Sequence, residues 1–163
     1  MKLMHGAALA IGLTMQPAGM DRFLTTTGQL TARLDLRDEQ QGFVGSTGEV
    51  LTIEPSGTWR LARFVNERVE PPHDRGRIPK EGLEALARAL VRRRFAELSR
   101  RLGRRVEVNA HLVTLSFGDK DTTLFLDPGE PLGPASADAP GSRQAWDDFV
   151  GIVETVRGLV KTP

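Results

Sequence analysis

The chain has 163 residues, 39% of them hydrophobic and 26% charged, with 22 basic against 21 acidic side chains for a net charge of +1. This length and composition fit one globular domain whose core needs no cross-links, and they exclude an intrinsically disordered chain. Near-neutrality excludes a global field steering the protein to nucleic acid or an anionic membrane. The absence of cysteine excludes disulfides, thiolate nucleophiles and cysteine metal sites.

At the N-terminus, Lys2 precedes an apolar stretch over residues 3–15, broken by His5 and followed by Gln16-Pro17-Ala18-Gly19. A positive start, a short apolar run and small residues predict a signal peptide over 1–19 and a secreted or periplasmic product. The run is shorter than the roughly 20 apolar residues that a membrane crossing takes, so no integral membrane segment is expected. Were Met20 the true start, the product would be cytoplasmic. Residues 20–163 read as a single α+β domain, with 20–29 as a tail.

Leu30, Ala32, Leu34 and Leu36 alternate with Thr31, Arg33, Asp35 and Arg37, which predicts an N-terminal strand with one buried and one wet face. Residues 38–41 read as a polar turn. The segment Gly42-Phe43-Val44-Gly45-Ser46-Thr47-Gly48 follows as a glycine-rich loop. Residues 49–53 and 58–65 predict a hairpin, because Pro55 presets φ and Gly57 supplies a positive φ in the connector. Residues 71–76 read as a loop. Leu83, Leu86, Ala87 and Leu90, continued by Phe95 and Leu98, predict a helix over 79–98 with a weak N-terminus, since Pro79 supplies no capping side chain. A second hairpin is expected from 106–117 and 122–126. Residues 127–142 have the Pro/Gly/Ala/Ser composition of a flexible loop. Ser142 can cap a closing helix whose Trp146, Phe149, Val150, Val153, Val156 and Val160 share one face. The expected fold is therefore α+β: an antiparallel sheet of two hairpins plus an N-terminal strand, with two amphipathic helices packed on one face.

No chemistry-bearing motif stands out. The glycine segment lacks GxGxxG and a Gly-Lys-Ser/Thr ending, and a strand rather than a helix follows it, so a turn is a better reading than a phosphate cradle. Phe43 and Val44 in that segment either plug the core or face a partner; the usual burial of apolar side chains favours plugging. Arg88, Arg92, Arg93, Arg94, Arg100, Arg101, Arg104 and Arg105 crowd eighteen positions. Arg92, Arg93, Arg100, Arg101, Arg104 and Arg105 form a candidate basic patch. Base-stacking aromatics are scarce and the whole chain is nearly neutral, so an acidic protein surface fits better than nucleic acid. His73, Asp74 and His111 have neither HExxH nor GxSxG around them, so no metal, no cofactor and no catalytic residue are assigned. Asp147 and Asp148 read as helix-start charges.

The run Gly42-Phe43-Val44-Gly45 after a strand resembles the "GGFAG" signature of emfourin-type proteins, small bacterial inhibitors of thermolysin-like metallopeptidases. The later order of hairpin, helix ending Phe95-Ala96-Glu97-Leu98, hairpin and closing helix is also similar. Gln41 stands where the signature has its first glycine, and Val44 where it has alanine. The resemblance implies a non-enzymatic protein that binds a peptidase; taken with the N-terminal pattern, the reading is an extracytoplasmic binding protein, expected to be a monomer, that uses the 42–48 loop and neighbouring strand edges. The binding residues would be Gly42, Phe43, Val44, Gly45, Ser46 and Thr47. An envelope interaction protein without inhibitory activity is the alternative. A third reading, an enzyme centred on His73, Asp74 and His111, requires those side chains to converge.

Overall fold

A computed structural model describes residues 18–135 and 141–161. The expected signal segment therefore lies outside the described residues, apart from Ala18 and Gly19. The fold is mixed α/β, with a large sheet of eight strands and two helices. The strands are β1 (Leu34–Gly42), β2 (Gly45–Ile53), β3 (Thr58–Val65), β4 (Arg68–Val69), β5 (Asp74–Arg77), β6 (Arg101–Leu102), β7 (His111–Phe117) and β8 (Lys120–Leu126). The helices are α1 (Lys80–Arg92) and α2 (Arg143–Lys161). Along the sheet the order is β4-β3-β2-β1-β7-β8-β6, and β5 also pairs with β3. Every pairing is antiparallel except that of β6 with β8. No helix among the described residues is long and apolar enough to cross a membrane.

Residues 20–29 are not a tail. Met20–Arg22 form a 3-10 helix, and Met20, Phe23 and Leu24 are buried in the core. The Phe23 ring meets Phe117 edge-on at 5.4 Å and lies 6.5 Å from Phe95. Burying such side chains is worth about 1.5–3 kcal/mol each, enough to pin a segment that its sequence leaves unmarked.

The predicted polar turn at 38–41 is strand. Asp38, Glu39, Gln40 and Gln41 pair with Glu49, Gly48, Thr47 and Ser46 of β2, and Gly42 pairs with Gly45. β1 and β2 thus make one long hairpin whose turn is Phe43-Val44. On the other side β1 pairs with β7 from Leu34↔Phe117 to Gln40↔His111. Cross-strand partners on both flanks override the weak strand preference of charged side chains. The predicted hairpins at 49–65 and 106–126 appear, the second with its first strand confined to His111–Phe117. Part of the expected loop at 71–76 is β5.

The apolar cluster takes alternate positions of the central strands: Leu34 and Leu36, Leu51 and Ile53, Val113, Leu115 and Phe117, Leu124 and Leu126. The apolar stripes of α1 and α2 join the same cluster through residues such as Leu86, Leu90, Phe149 and Val153. The helix predicted to run unbroken to residue 98 stops at Arg93. Arg94 takes a left-handed φ of 50°, and a second 3-10 helix, Phe95–Glu97, turns Phe95 into the core. Pro79 supplies no side-chain cap to α1, whereas Ser142 Oγ accepts the Ala145 N–H at the start of α2. Residues 127–135 are held in place: the Trp146 indole N–H donates to the Gly133 carbonyl and the Ala135 N–H to Asp147. The middle of the expected flexible loop, 136–140, lies outside the described residues.

Phe64 is buried although its strand position faces away from Trp59 and Leu61. It sits opposite Gly48, and the Arg37 guanidinium lies 3.5 Å above its ring. A β-carbon on Gly48 would come within 1.9 Å of the Asp38 carbonyl oxygen and 2.9 Å of the Phe64 ring. We expect Gly48→Ala to destabilise the fold by about 1–3 kcal/mol through this overpacking. Exposed Gly158 in α2 has open space where its β-carbon would go. Gly158→Ala should therefore stabilise by about 0.5–1 kcal/mol. Urea denaturation of both variants checks the pair, and equal effects would contradict this packing.

Candidate functional site

The glycine segment singled out in the sequence forms the tip of the β1–β2 hairpin. Two-residue hairpin turns usually need positive φ at their central positions, which a β-branched valine resists. Phe43 and Val44 keep negative φ, and Gly45 carries the unusual value of 133° instead. The tip is clasped from the β3–β4 turn. Asn66 Oδ1 accepts the Ser46 N–H at 2.9 Å, the Asn66 N–H donates to the Ser46 carbonyl at 2.6 Å, and the Gln41 N–H donates to the Ala110 carbonyl at 2.8 Å. Only Gly42 to Gly45 project beyond these bonds. Phe43 is 100% exposed and Val44 93%. The expectation that they plug the core is therefore overturned: the pairing of Gly42 with Gly45 carries both side chains past the last core layer.

The other exposed large apolar side chains among the described residues are Val65, Val69 and Val108. Val65 pairs with Thr47, Val69 belongs to the neighbouring β4, and Val108 lies two positions before the Ala110 that holds Gln41. All five therefore lie at one end of the sheet. Ser46 and Thr47 flank this apolar end as the first paired positions below the tip. Sequence reasoning missed Val65, Val69 and Val108, because alternation alone makes each look like an ordinary strand or loop residue.

The two histidines contact different carboxylates, Asp38 and Glu49, which are cross-strand partners on β1 and β2. His111 is buried, with Nε2 2.8 Å from Asp38 Oδ1 and Nδ1 2.9 Å from the Glu130 carbonyl oxygen. Both ring nitrogens are thus engaged by neighbouring protein groups. The second Asp38 oxygen accepts from Arg157 Nη2 at 2.5 Å. His73 lies 3.6 Å from Glu49, and Asp74 accepts the N–H of Arg75. The described residues hold no cluster of three metal-ligating side chains.

The arginine cluster divides. Arg93 and Arg94 each approach the buried Asp148 carboxylate at 3.7 Å, and Arg93 also donates to the Asp147 carbonyl. Asp148 is thus a link between α2 and the end of α1 rather than a helix-start charge, and Arg93 leaves the basic patch. Arg104 lies 3.7 Å from Asp127. Arg92, Arg100, Arg101 and Arg105 are exposed, Arg101 within the edge strand β6 and Arg100 and Arg105 on either side of it in sequence.

Compared with known proteins, the chain matches no family model and no curated sequence.

Asp38 joins β1 to β7 through His111 and to α2 through Arg157. Asp38→Ala should cost about 1–3 kcal/mol, because it strands a buried imidazole and a guanidinium together. Thermal and urea unfolding measure this, and a loss below about 0.5 kcal/mol would make the network incidental.

Proposed function

We propose that the protein is a non-catalytic binding protein that presents the Gly42–Gly45 tip, with Thr47, Val65, Val69 and Val108 around it, to a protein partner. The observation that carries this reading is the full exposure of Phe43 and Val44 on a clasped hairpin. Leaving two large apolar side chains in water forfeits about 1.5–3 kcal/mol each, a loss that a partner pocket recovers on binding. The clasp also orders the tip beforehand, so little conformational entropy is lost on docking. Exposed apolar groups gathered in one place mark interaction sites, whereas scattered ones do not.

The resemblance of Gly42-Phe43-Val44-Gly45 to emfourin-type inhibitors makes a thermolysin-like metallopeptidase the partner class of this proposal, with secretion or the periplasm as the place of encounter. A bulky apolar residue on a closed turn suits a peptidase cleft without being a good substrate, since the hydrogen-bonded turn resists extension. Shielding of one sheet face by both helices belongs to the same reading, because it leaves the loops and the opposite face open to contact. The protein would act as a monomer and need no cofactor.

The test is inhibition of a panel of thermolysin-like metallopeptidases by the purified protein. Slowed peptide hydrolysis with the protein left intact is the expected result. A Phe43→Ser, Val44→Ser double variant should lose that inhibition while keeping its stability within about 0.5 kcal/mol, as exposed positions do. No inhibition across the panel removes the peptidase as partner. Unchanged inhibition by the double variant removes the tip as the contact.

A further inference from the structure

A cleft of about 280 Å³ opens on the sheet face that carries Leu36 and Leu51, away from the hairpin tip. Leu36, Leu51, Trp59 and Leu61 make its floor on three neighbouring strands, and the last turns of α2 bring Arg157, Val160 and Lys161 to its wall. Asp74 on β5 closes the far side, beside Glu49.

The polar groups here are unequally committed. Asp38 is filled by His111 and Arg157. Glu49 has Arg63 at 3.9 Å and His73 at 3.6 Å. Among the described residues, however, Lys161 has no hydrogen bond or ion pair, and Asp74 accepts only the backbone N–H of Arg75. Trp59 is 8% exposed, and its indole N–H has no acceptor among the described residues. That N–H is not sealed in the core, because the one sealed, unpartnered side-chain atom among those residues is Thr122 Oγ1. The edge of Trp59 is fixed by Gly76, where a β-carbon would lie 2.8 Å from the indole.

An uncommitted cation on one wall thus faces an uncommitted carboxylate on the other across an apolar floor. Arg157 is anchored over β1, while Asp74 sits on β5, three strand spacings or about 14 Å away. A single amino acid is too short to reach both walls, and the volume lies just below the range for drug-sized ligands. We propose that the cleft binds a short zwitterionic peptide of about two or three residues. Its carboxylate lies toward Lys161, its ammonium toward Asp74, and an apolar side chain rests on the leucine floor. This site is separate from the hairpin tip, and either reading can fail alone.

The test titrates the full chain with the dipeptide Leu-Leu, followed by tryptophan emission and by calorimetry. Trp146, whose indole N–H is already bonded to Gly133, serves as the unperturbed fluorophore. A saturable shift and matching heat are expected. Lys161→Ala and Asp74→Asn, both at exposed positions, should each weaken binding by about fivefold, the loss of one partly solvated ion pair. Free leucine should bind more weakly, and N-acetyl-Leu-Leu-amide, lacking both charges, should give no shift. The proposal is overturned by no saturable signal up to about 10 mM dipeptide, by equal binding of the capped peptide, or by unchanged binding in both variants. Free leucine binding as tightly as Leu-Leu overturns the peptide assignment.

Discussion

The ladder between β1 and β7 is the constraint on which the remaining structure rests. Residues 34–40 pair with 111–117, and this is the seam that joins the N-terminal meander β1–β3 to the C-terminal hairpin β7–β8. Slipping this register by one residue would turn Leu34 and Leu36 to the wrong face and bring Asp35 and Arg37 into the core. The register also brings His111 within reach of Asp38, and Arg157 of α2 closes on the same carboxylate. The hairpin tip and the cleft inherit their positions from this seam. The tip is where the ladder ends, and Leu36 at its middle begins the cleft floor.

Much of the fold was legible because hydrophobic periodicity reports burial directly. The alternation over Leu34 to Arg37, the connector at Pro55 to Gly57 and the stripe from Trp146 to Val160 each mark an element that is present, whereas Leu30 to Arg33, expected in the same strand, supply only a bridge from Leu30 to Leu24. What failed was of another kind. Strand 38–41 carries no apolar residue, and its pairing comes from two neighbours remote in the chain. Met20, Phe23 and Leu24 show no period because they fold as a short 3-10 turn and a bridge. The break at Arg94 leaves no mark in the sequence, since nothing about arginine announces a left-handed backbone. The short edge strands β4, β5 and β6 exist because a longer neighbour templates them.

The surface was less legible than the core. Composition made the arginines look like one patch, yet Arg93 and Arg94 serve a buried aspartate while Arg100, Arg101 and Arg105 remain at the sheet margin. Average tendencies placed Phe43 and Val44 inside, and the two-residue turn between paired glycines placed them outside. The placement of the glycine run depended on where the strands on either side ended. The tryptophan floor of the cleft could not be found from sequence at all, because β3 and β5 are brought beside α2 only by the complete fold.

The margins of the sheet bear on how such a surface is kept safe. β4 and β6, the terminal strands, are two residues each, and β6 lies among arginines. At β6 a like molecule approaching edge-on meets few free backbone groups and repulsion between like cations. Filament growth by strand addition is thereby starved of a template. A margin of that kind limits one route of self-association while the apolar tip stays exposed.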